Sequence, residues 1–166
     1  MVKNKLRKSL FEQGQSLSDS FITDSNLIIQ SQAIENIDFK SIINNLLYFP
    51  YRYEVSIELI EKEINKYSNN IYMPRIISNK NMSFNLLDGS PLVKNKYGIN
   101  EINNNKYLDP LSFDCMFIPF VGIDSKGKRL GYGGGYFDRS LEVLKGTNER
   151  PLIVGLGYDY QVSEEV

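Results

Sequence analysis

Phe113-Asp-Cys-Met-Phe-Ile-Pro-Phe-Val121 runs directly into Gly122-Ile-Asp-Ser-Lys-Gly-Lys-Arg-Leu-Gly-Tyr-Gly-Gly-Gly-Tyr-Phe-Asp-Arg139. The first part is the most apolar run of the chain and reads as a buried central strand. The second holds four of the twelve glycines between Gly131 and Gly135. Glycine lets the backbone adopt positive φ and turn successive amides into one concavity. Ser140–Leu144 looks helical, and a helix starting just after the glycines adds its positive end to that concavity. Strand, glycine turn and helix together form an anion cradle within an α/β layer. Lys126, Lys128, Arg129 and Arg139 flank it, and phosphate is the natural ligand.

Two familiar phosphate motifs do not fit. Gly122-x4-Gly127-Lys128 opens like a P-loop, but Arg129 stands where a magnesium-binding Ser or Thr belongs. Gly131-x-Gly133-x-Gly135 misses the dinucleotide spacing, which requires glycine at Tyr136. A glycine-rich turn with no ligand is the plain alternative. Tyr132, Tyr136 and Phe137 argue against it, since aromatics beside a bare turn are usually buried elsewhere.

Outward from this segment, residues 2–13 suit a helix with Leu6 and Leu10 four apart and Gly14 as its stop. Ser18 or Asp19 can cap a second helix carrying Ile22, Ile29, Ala33 and Ile37. Ile42–Phe49 reads as a buried strand ending at Pro50. Glu54–Tyr67 reads as a helix with Val55, Leu59, Ile60 and Ile64 on one side. Strands are expected at Ile71–Ile77, Met82–Leu87 and Pro151–Gly157, with a turn at Asn79–Asn81. The Asn-, Pro-, Gly- and Lys-rich stretch from Gly89 to Pro110 reads as a long connection. Strands alternating with helices predict an α/β fold with a mostly parallel sheet, as one domain over residues 1–166.

The chain has 166 residues, 42% of them apolar, and a net charge of −1. Nothing in that balance attracts nucleic acid or an anionic membrane, and no apolar run approaches a membrane span. The expectation is a cytoplasmic protein with no nucleic-acid or membrane partner. A single cysteine, Cys115, excludes an intrachain disulfide and all-cysteine metal sites; buried in its strand, it reads as structural. There is no histidine, which removes Ser-His-Asp and Cys-His triads, histidine zinc sites and any imidazole base. The chemistry left uses carboxylates, lysine, arginine, tyrosine, backbone amides or a borrowed ion.

Arg129-Leu-Gly-Tyr-Gly-Gly-Gly-Tyr-Phe-Asp-Arg139, preceded by Phe113–Pro119 and Asp124, resembles the signature of the 5-formyltetrahydrofolate cyclo-ligase (5,10-methenyltetrahydrofolate synthetase) family. Weaker elements follow in the family's order: Lys3-Asn-Lys-Leu-Arg7, Glu54-Val-Ser56, Met73-Pro-Arg75, Tyr97-Gly-Ile-Asn-Glu101, and Gly155-Leu-Gly-Tyr158 through Gln161. The resemblance implies a Rossmann-like α/β/α sandwich and an ATP-dependent, C–N bond-forming ligase. Such an enzyme uses ATP and Mg²⁺ to convert 5-formyltetrahydrofolate, polyglutamylated forms included, to 5,10-methenyltetrahydrofolate. Relatives continue past the Gln161 region with a further strand and an acidic residue, whereas this sequence ends at Val166.

By the same resemblance Lys3 and Arg7, one helical turn apart, reach the ATP phosphates. Arg129, Gly131, Gly133, Gly134, Gly135, Tyr136 and Phe137 hold the nucleotide, and Asp138 holds magnesium. Glu54 contacts the pterin or the formyl group. Tyr48, Phe49, Met82 and Tyr136 line the folate pocket, because a flat pterin suits aromatic and thioether walls. The catalytic set is Glu54, Arg129 and Asp138. Taken alone, Lys3 and Arg7 read as a solvated basic face, Asp138 as a first-turn carboxylate, Glu54 as a helix-start acid and Tyr48 and Phe49 as core. Monomer is the expected state. Two other readings use the same segment: a degenerate relative acting as a nucleotide- or folate-binding regulatory module, and an RNA-binding stacking strip, which the net charge disfavours.

Overall fold

The computed structural model describes residues 2–166. In chain order its helices are α1 (Val2–Gln15), α2 (Asp19–Asn36), α3 (Glu58–Lys66) and α4 (Tyr136–Ser140). Its strands are β1 (Asn44–Leu46), β2 (Asn70–Ile76), β3 (Met82–Leu86), β4 (Leu92–Lys94), β5 (Asn100–Ile102), β6 (Cys115–Phe117), β7 (Gly122–Asp124), β8 (Arg129–Leu130), β9 (Leu152–Val154) and β10 (Val162–Ser163). The main sheet has the order β3-β2-β1-β6-β9, parallel except for β3 at one edge.

Alternation along its strands sends side chains to two covered faces. Leu47, Ile71, Met73 and Phe117 face α2 and α3, meeting Ile29, Ala33, Ile60 and Ile64. Leu46, Tyr72, Met116 and Ile118 face the other way, against Phe137, Leu141 and Leu144 of α4 and the 3₁₀ turn Glu142–Leu144. Burial on both faces is why these strands are continuously apolar in sequence, as expected for a parallel sheet between helix layers. The α/β/α sandwich expected from the sequence is therefore the one formed. A second sheet, β10-β7-β8, packs Val121 and Leu130 against Leu10 of α1.

Five local expectations are corrected. The helix expected over 54–67 begins only at Glu58, so Glu54 lies in the preceding loop. Two α2 side chains explain the later start: Asn26 Oδ1 accepts from the Ser56 amide at 2.6 Å, and Gln30 Oε1 from the Leu59 amide at 2.9 Å. Gly14 does not stop α1 but lies inside it, where a β-carbon would sit 2.7 Å from the Tyr53 ring. The central strand expected over 113–121 forms as β6, an interior strand beside β1, but it is shorter: it ends at Phe117, before Pro119, and the chain then enters the second sheet. The expected 89–110 connection contains the antiparallel hairpin β4–β5. The helix expected at Ser140–Leu144 is replaced by the short α4, Tyr136–Ser140, directly after the glycines, and a 3₁₀ turn at Glu142–Leu144. By contrast, Ser18 does cap α2, accepting from the Phe21 amide at 3.2 Å, and Cys115 is buried.

Gln161 ties the last segment to the main sheet's exit. Buried, it accepts from the Tyr158 amide at 2.9 Å and donates to the carbonyls of Phe120 (3.2 Å) and Val121 (3.1 Å). Gln161→Ala strands three buried backbone groups, at a cost of about 2 kcal/mol. The urea unfolding midpoint should fall with no change in slope.

Candidate active site

The parallel strands β2, β1 and β6 deliver their carboxyl ends to one rim of the sheet. From β1 the chain crosses through α3 to β2 on one side, while β6 lies on the other. The β1–β6 boundary is thus a switch in strand order, where α/β sheets open a crevice for ligands. A cleft of about 460 Å³ occupies that position, with Phe49 beyond β1, Pro74 and Ile76 on β2, and Pro119 beyond β6 among its walls.

One side of the cleft is the glycine loop. Gly133 (φ 101°) and Gly135 (φ 66°) adopt the positive φ that only glycine takes without strain. The amides of Gly133, Gly134 and Gly135 donate to no acceptor among the described residues, whereas two of the loop's carbonyls are claimed by arginine side chains. Arg7 Nε donates to the Gly131 carbonyl and an Arg139 Nη to the Gly134 carbonyl, both at 2.7 Å. Carbonyls held and amides open is the polarity of an anion cradle. Because α4 has only five residues, the attraction rests on the loop amides and on guanidinium groups rather than on a long helix dipole.

Of the four cations flanking the glycines in sequence, only Arg129 lines the cleft. Its guanidinium meets Asp138 Oδ1 at 2.5 Å and lies 5.6 Å over the Phe137 ring. Burial lowers its pKa from the ordinary arginine value, opposed by Asp138. Lys126 and Lys128 sit exposed on the β7–β8 turn, where Asp124 Oδ1 accepts from both their amides. Arg7 reaches the cleft from α1, and Lys3, one turn earlier, is exposed and outside its lining. Two expected phosphate ligands are thus separated by the structure.

The opposite wall carries the acid. Pro50–Glu54 makes a tight turn in which Arg52 adopts φ 56°, an uncommon conformation for a side-chain-bearing residue. The turn folds the Glu54 carboxylate back onto the Tyr51 amide, with Oε2 accepting at 2.7 Å. Burial pushes the Glu54 carboxyl up to about 7, against the lowering effects of the Tyr51 amide and the Tyr132 hydroxyl. Tyr132 stacks on Phe11 at 5.7 Å and meets Tyr51 edge-on at 5.4 Å, closing the wall around that carboxyl.

Tyr48, Phe49, Met82, Tyr136 and Phe137 all line the cleft. Tyr48 is also core: it is buried and its hydroxyl donates to the Val55 carbonyl at 2.9 Å, which leaves it as floor rather than a polar contact. Phe137 likewise packs on Phe84, 6.3 Å between ring centres.

Two charged groups in the cleft escape the sequence reading. Glu101 is buried, with Oε1 accepting from the Ile76 amide (2.9 Å) and Asn95 Nδ2 (2.8 Å), and so pins the β4–β5 hairpin to the cleft. Arg52 sits over the Phe11 and Tyr51 rings and enters no hydrogen bond or ion pair among the described residues. The Tyr97–Glu101 motif was the available signal for Glu101; Arg52 left none.

Among the described residues, no three acidic, cysteine or histidine side chains gather as a metal cage. Asp138 lines the cleft, is 71% exposed and has one oxygen, Oδ1, on Arg129. That single carboxylate beside a phosphate cradle fits magnesium, which binds through one or two carboxylates plus phosphate oxygens and water.

The model of the 5-formyltetrahydrofolate cyclo-ligase family matches residues 1–166. The chain is 31% identical to the Haemophilus influenzae 5-formyltetrahydrofolate cyclo-ligase over 169 residues, covering 98% of this chain and 84% of that one. It is 29% identical to the Mycoplasma genitalium protein of the same name over 166 residues, covering 98% and 88%. Among solved structures, the Aquifex aeolicus 5,10-methenyltetrahydrofolate synthetase superposes with a TM-score of 0.84 at 28% identity, covering 100% of this chain and 82% of that one. The Mycoplasma pneumoniae 5,10-methenyltetrahydrofolate synthetase gives 0.79 at 25% identity, covering 100% and 91%. No helix among the described residues is long and apolar enough to cross a membrane.

Proposed function

The chain belongs to the 5-formyltetrahydrofolate cyclo-ligase family, and on that premise we propose that it uses ATP and Mg²⁺ to convert 5-formyltetrahydrofolate to 5,10-methenyltetrahydrofolate. The observation that supports this most is the pairing, across one cleft, of an open-amide glycine loop with a buried carboxyl raised to about 7. The first suits a triphosphate, and the second suits a proton released near neutrality.

The loop amides of Gly133–Gly135, with Arg129 and Arg7, orient the triphosphate. Tyr136, Met82 and Phe49 hold the pterin against it. The formamide oxygen attacks the γ-phosphorus and the β–γ bridging bond breaks, releasing ADP and leaving an iminium phosphate. The nitrogen at position 10 then adds to the formyl carbon, its proton passes to the Glu54 carboxylate, and the carbon–oxygen bond breaks to release phosphate. Asp138 would hold the magnesium, which supplies neutralisation of the phosphate charge. No step needs an imidazole, in keeping with a chain that has no histidine.

The test is incubation of the chain with 5-formyltetrahydrofolate and Mg-ATP while following the methenyl chromophore and ADP. One ADP should form per methenyl product, with none in the absence of either substrate. ATP binding without product would overturn the enzymatic reading and favour a regulatory module.

A further inference from the structure

Arg139 follows the glycine cluster closely enough in sequence to be counted among the phosphate cations, but its guanidinium is committed elsewhere. It lies outside the lining of the cleft. One Nη donates to the Gly134 carbonyl at 2.7 Å, and Nε donates to the Lys80 carbonyl, also at 2.7 Å. Lys80 belongs to the turn joining β2 and β3, which are paired through five residues from Tyr72↔Leu86 to Ile76↔Met82. The guanidinium also rests 5.4 Å over the Tyr136 ring and packs on Gly135 so closely that a β-carbon there would come within 2.6 Å of its Nη1. Arg139 is therefore a strut between a firmly paired hairpin and the loop.

We propose that Arg139 is a positioning residue that sets the Gly135 amide toward the anion, and so makes the glycine loop competent to bind the triphosphate. A trans peptide is planar, with its C=O and N–H pointing in opposite directions. The plane that carries the Gly134 carbonyl also carries the Gly135 amide, so fixing the oxygen outward fixes that N–H inward. Glycine's own torsional freedom leaves the plane unspecified, and ordering it costs more entropy than for any other residue. The Arg139 hydrogen bonds supply that order before the ligand arrives, which lowers the cost of binding. Arg7 makes the same kind of contact three peptide groups earlier in the loop, through the Gly131 carbonyl, but from inside the cleft, where it can also touch the anion. Arg139 acts only through the backbone.

The inference rests on the triphosphate being the loop's ligand, and its test separates the two. ATP binding to the purified chain is measured directly with Mg-ATP, alongside KM for each substrate, kcat, thermal midpoint and amide hydrogen exchange over residues 131–136. Arg139→Ala should raise both Kd and KM for ATP about tenfold, with less than a threefold change in kcat and in KM for 5-formyltetrahydrofolate. Exchange of the 131–136 amides should accelerate. Arg139→Lys, whose ammonium can reach one carbonyl at a time, should recover part of the ATP affinity. Arg139→Gln keeps a donor with less bulk and serves if the alanine variant does not fold. Failure of the unmodified chain to bind ATP would remove the triphosphate reading itself. Normal ATP binding in the unmodified chain with an unchanged Kd in Arg139→Ala would overturn the strut alone, as would a uniform fall in all parameters that tracks the loss of thermal stability.

Discussion

Arg129→Ala should lower kcat/KM for Mg-ATP by roughly a hundredfold or more, with KM for 5-formyltetrahydrofolate changing far less. Arg129 is the cleft's best-fixed cation, its side chain only 20% exposed and its guanidinium stacked over Phe137 and paired with Asp138. Charge-assisted hydrogen bonds from a positioned guanidinium to phosphate are about twice as strong as neutral ones, and losing a partly buried one costs about 2–5 kcal/mol. The low end of that range is already more than a tenfold loss. Removing Arg129 has a second consequence, because Asp138 then faces the incoming phosphates with its charge unmatched. Arg129→Lys should recover little, since an ammonium cannot span Asp138 and a phosphate oxygen in the same plane. Steady-state kinetics with each substrate varied in turn checks both variants. A loss shared equally between ATP and folate would show that Arg129 holds the fold of the cleft rather than the nucleotide.

This site was legible in the sequence where local chemistry alone decides the outcome. The glycine cluster needs positive φ whatever surrounds it, and Gly133 and Gly135 adopt it. The alternation that places Leu46 and Leu47 on opposite faces is likewise local. What was not legible depends on groups remote in sequence. The start of α3 is set by Asn26 and Gln30 of another helix, so Glu54 looked helical when it is not. The β4–β5 hairpin has three residues per strand and an Asn-rich sequence; buried Glu101 bonding to the Ile76 amide is what anchors it. The cations divided in the same way. Lys126, Lys128 and Arg139 crowd the motif in sequence and Lys3 precedes Arg7 by one helical turn, yet only Arg7 and Arg129 of the expected set line the cleft, while Arg52 joins them through a backbone turn that no periodicity announces. Proximity in sequence gave the ligand class, and the placement of each charge had to come from the fold.

Glu54→Gln should move activity and stability in opposite directions. A carboxyl held at about 7 in the folded chain and near its ordinary 4.5 in the unfolded one keeps more protons on the folded form between those values. Stability from this group is therefore complete below about pH 4.5 and is lost as pH rises through 7. Above pH 7 the folded protein carries a charge in a site that disfavours it. With screening by the water that reaches this incompletely buried group, that charge costs about 2 kcal/mol. Glutamine retains the oxygen that accepts from the Tyr51 amide and removes the charge, so at pH 8 Glu54→Gln should be more stable than the parent by about that amount, with little difference at pH 4.5. Thermal or urea unfolding at the two pH values measures it. On the proposed mechanism the same charge is what the ring closure uses. If Glu54 takes the proton from nitrogen 10, kcat/KM for 5-formyltetrahydrofolate rises with pH through about 7 in the parent, and that limb disappears in Glu54→Gln along with roughly a hundredfold or more of kcat. ATP affinity should be nearly unchanged. A more stable, ATP-binding and slow variant would identify the strain at Glu54 as held for catalysis; a variant both less stable and equally weak toward ATP and folate would make Glu54 a folding residue. The turn at Arg52, in an uncommon conformation of its own, is then the local geometry that keeps this carboxyl buried.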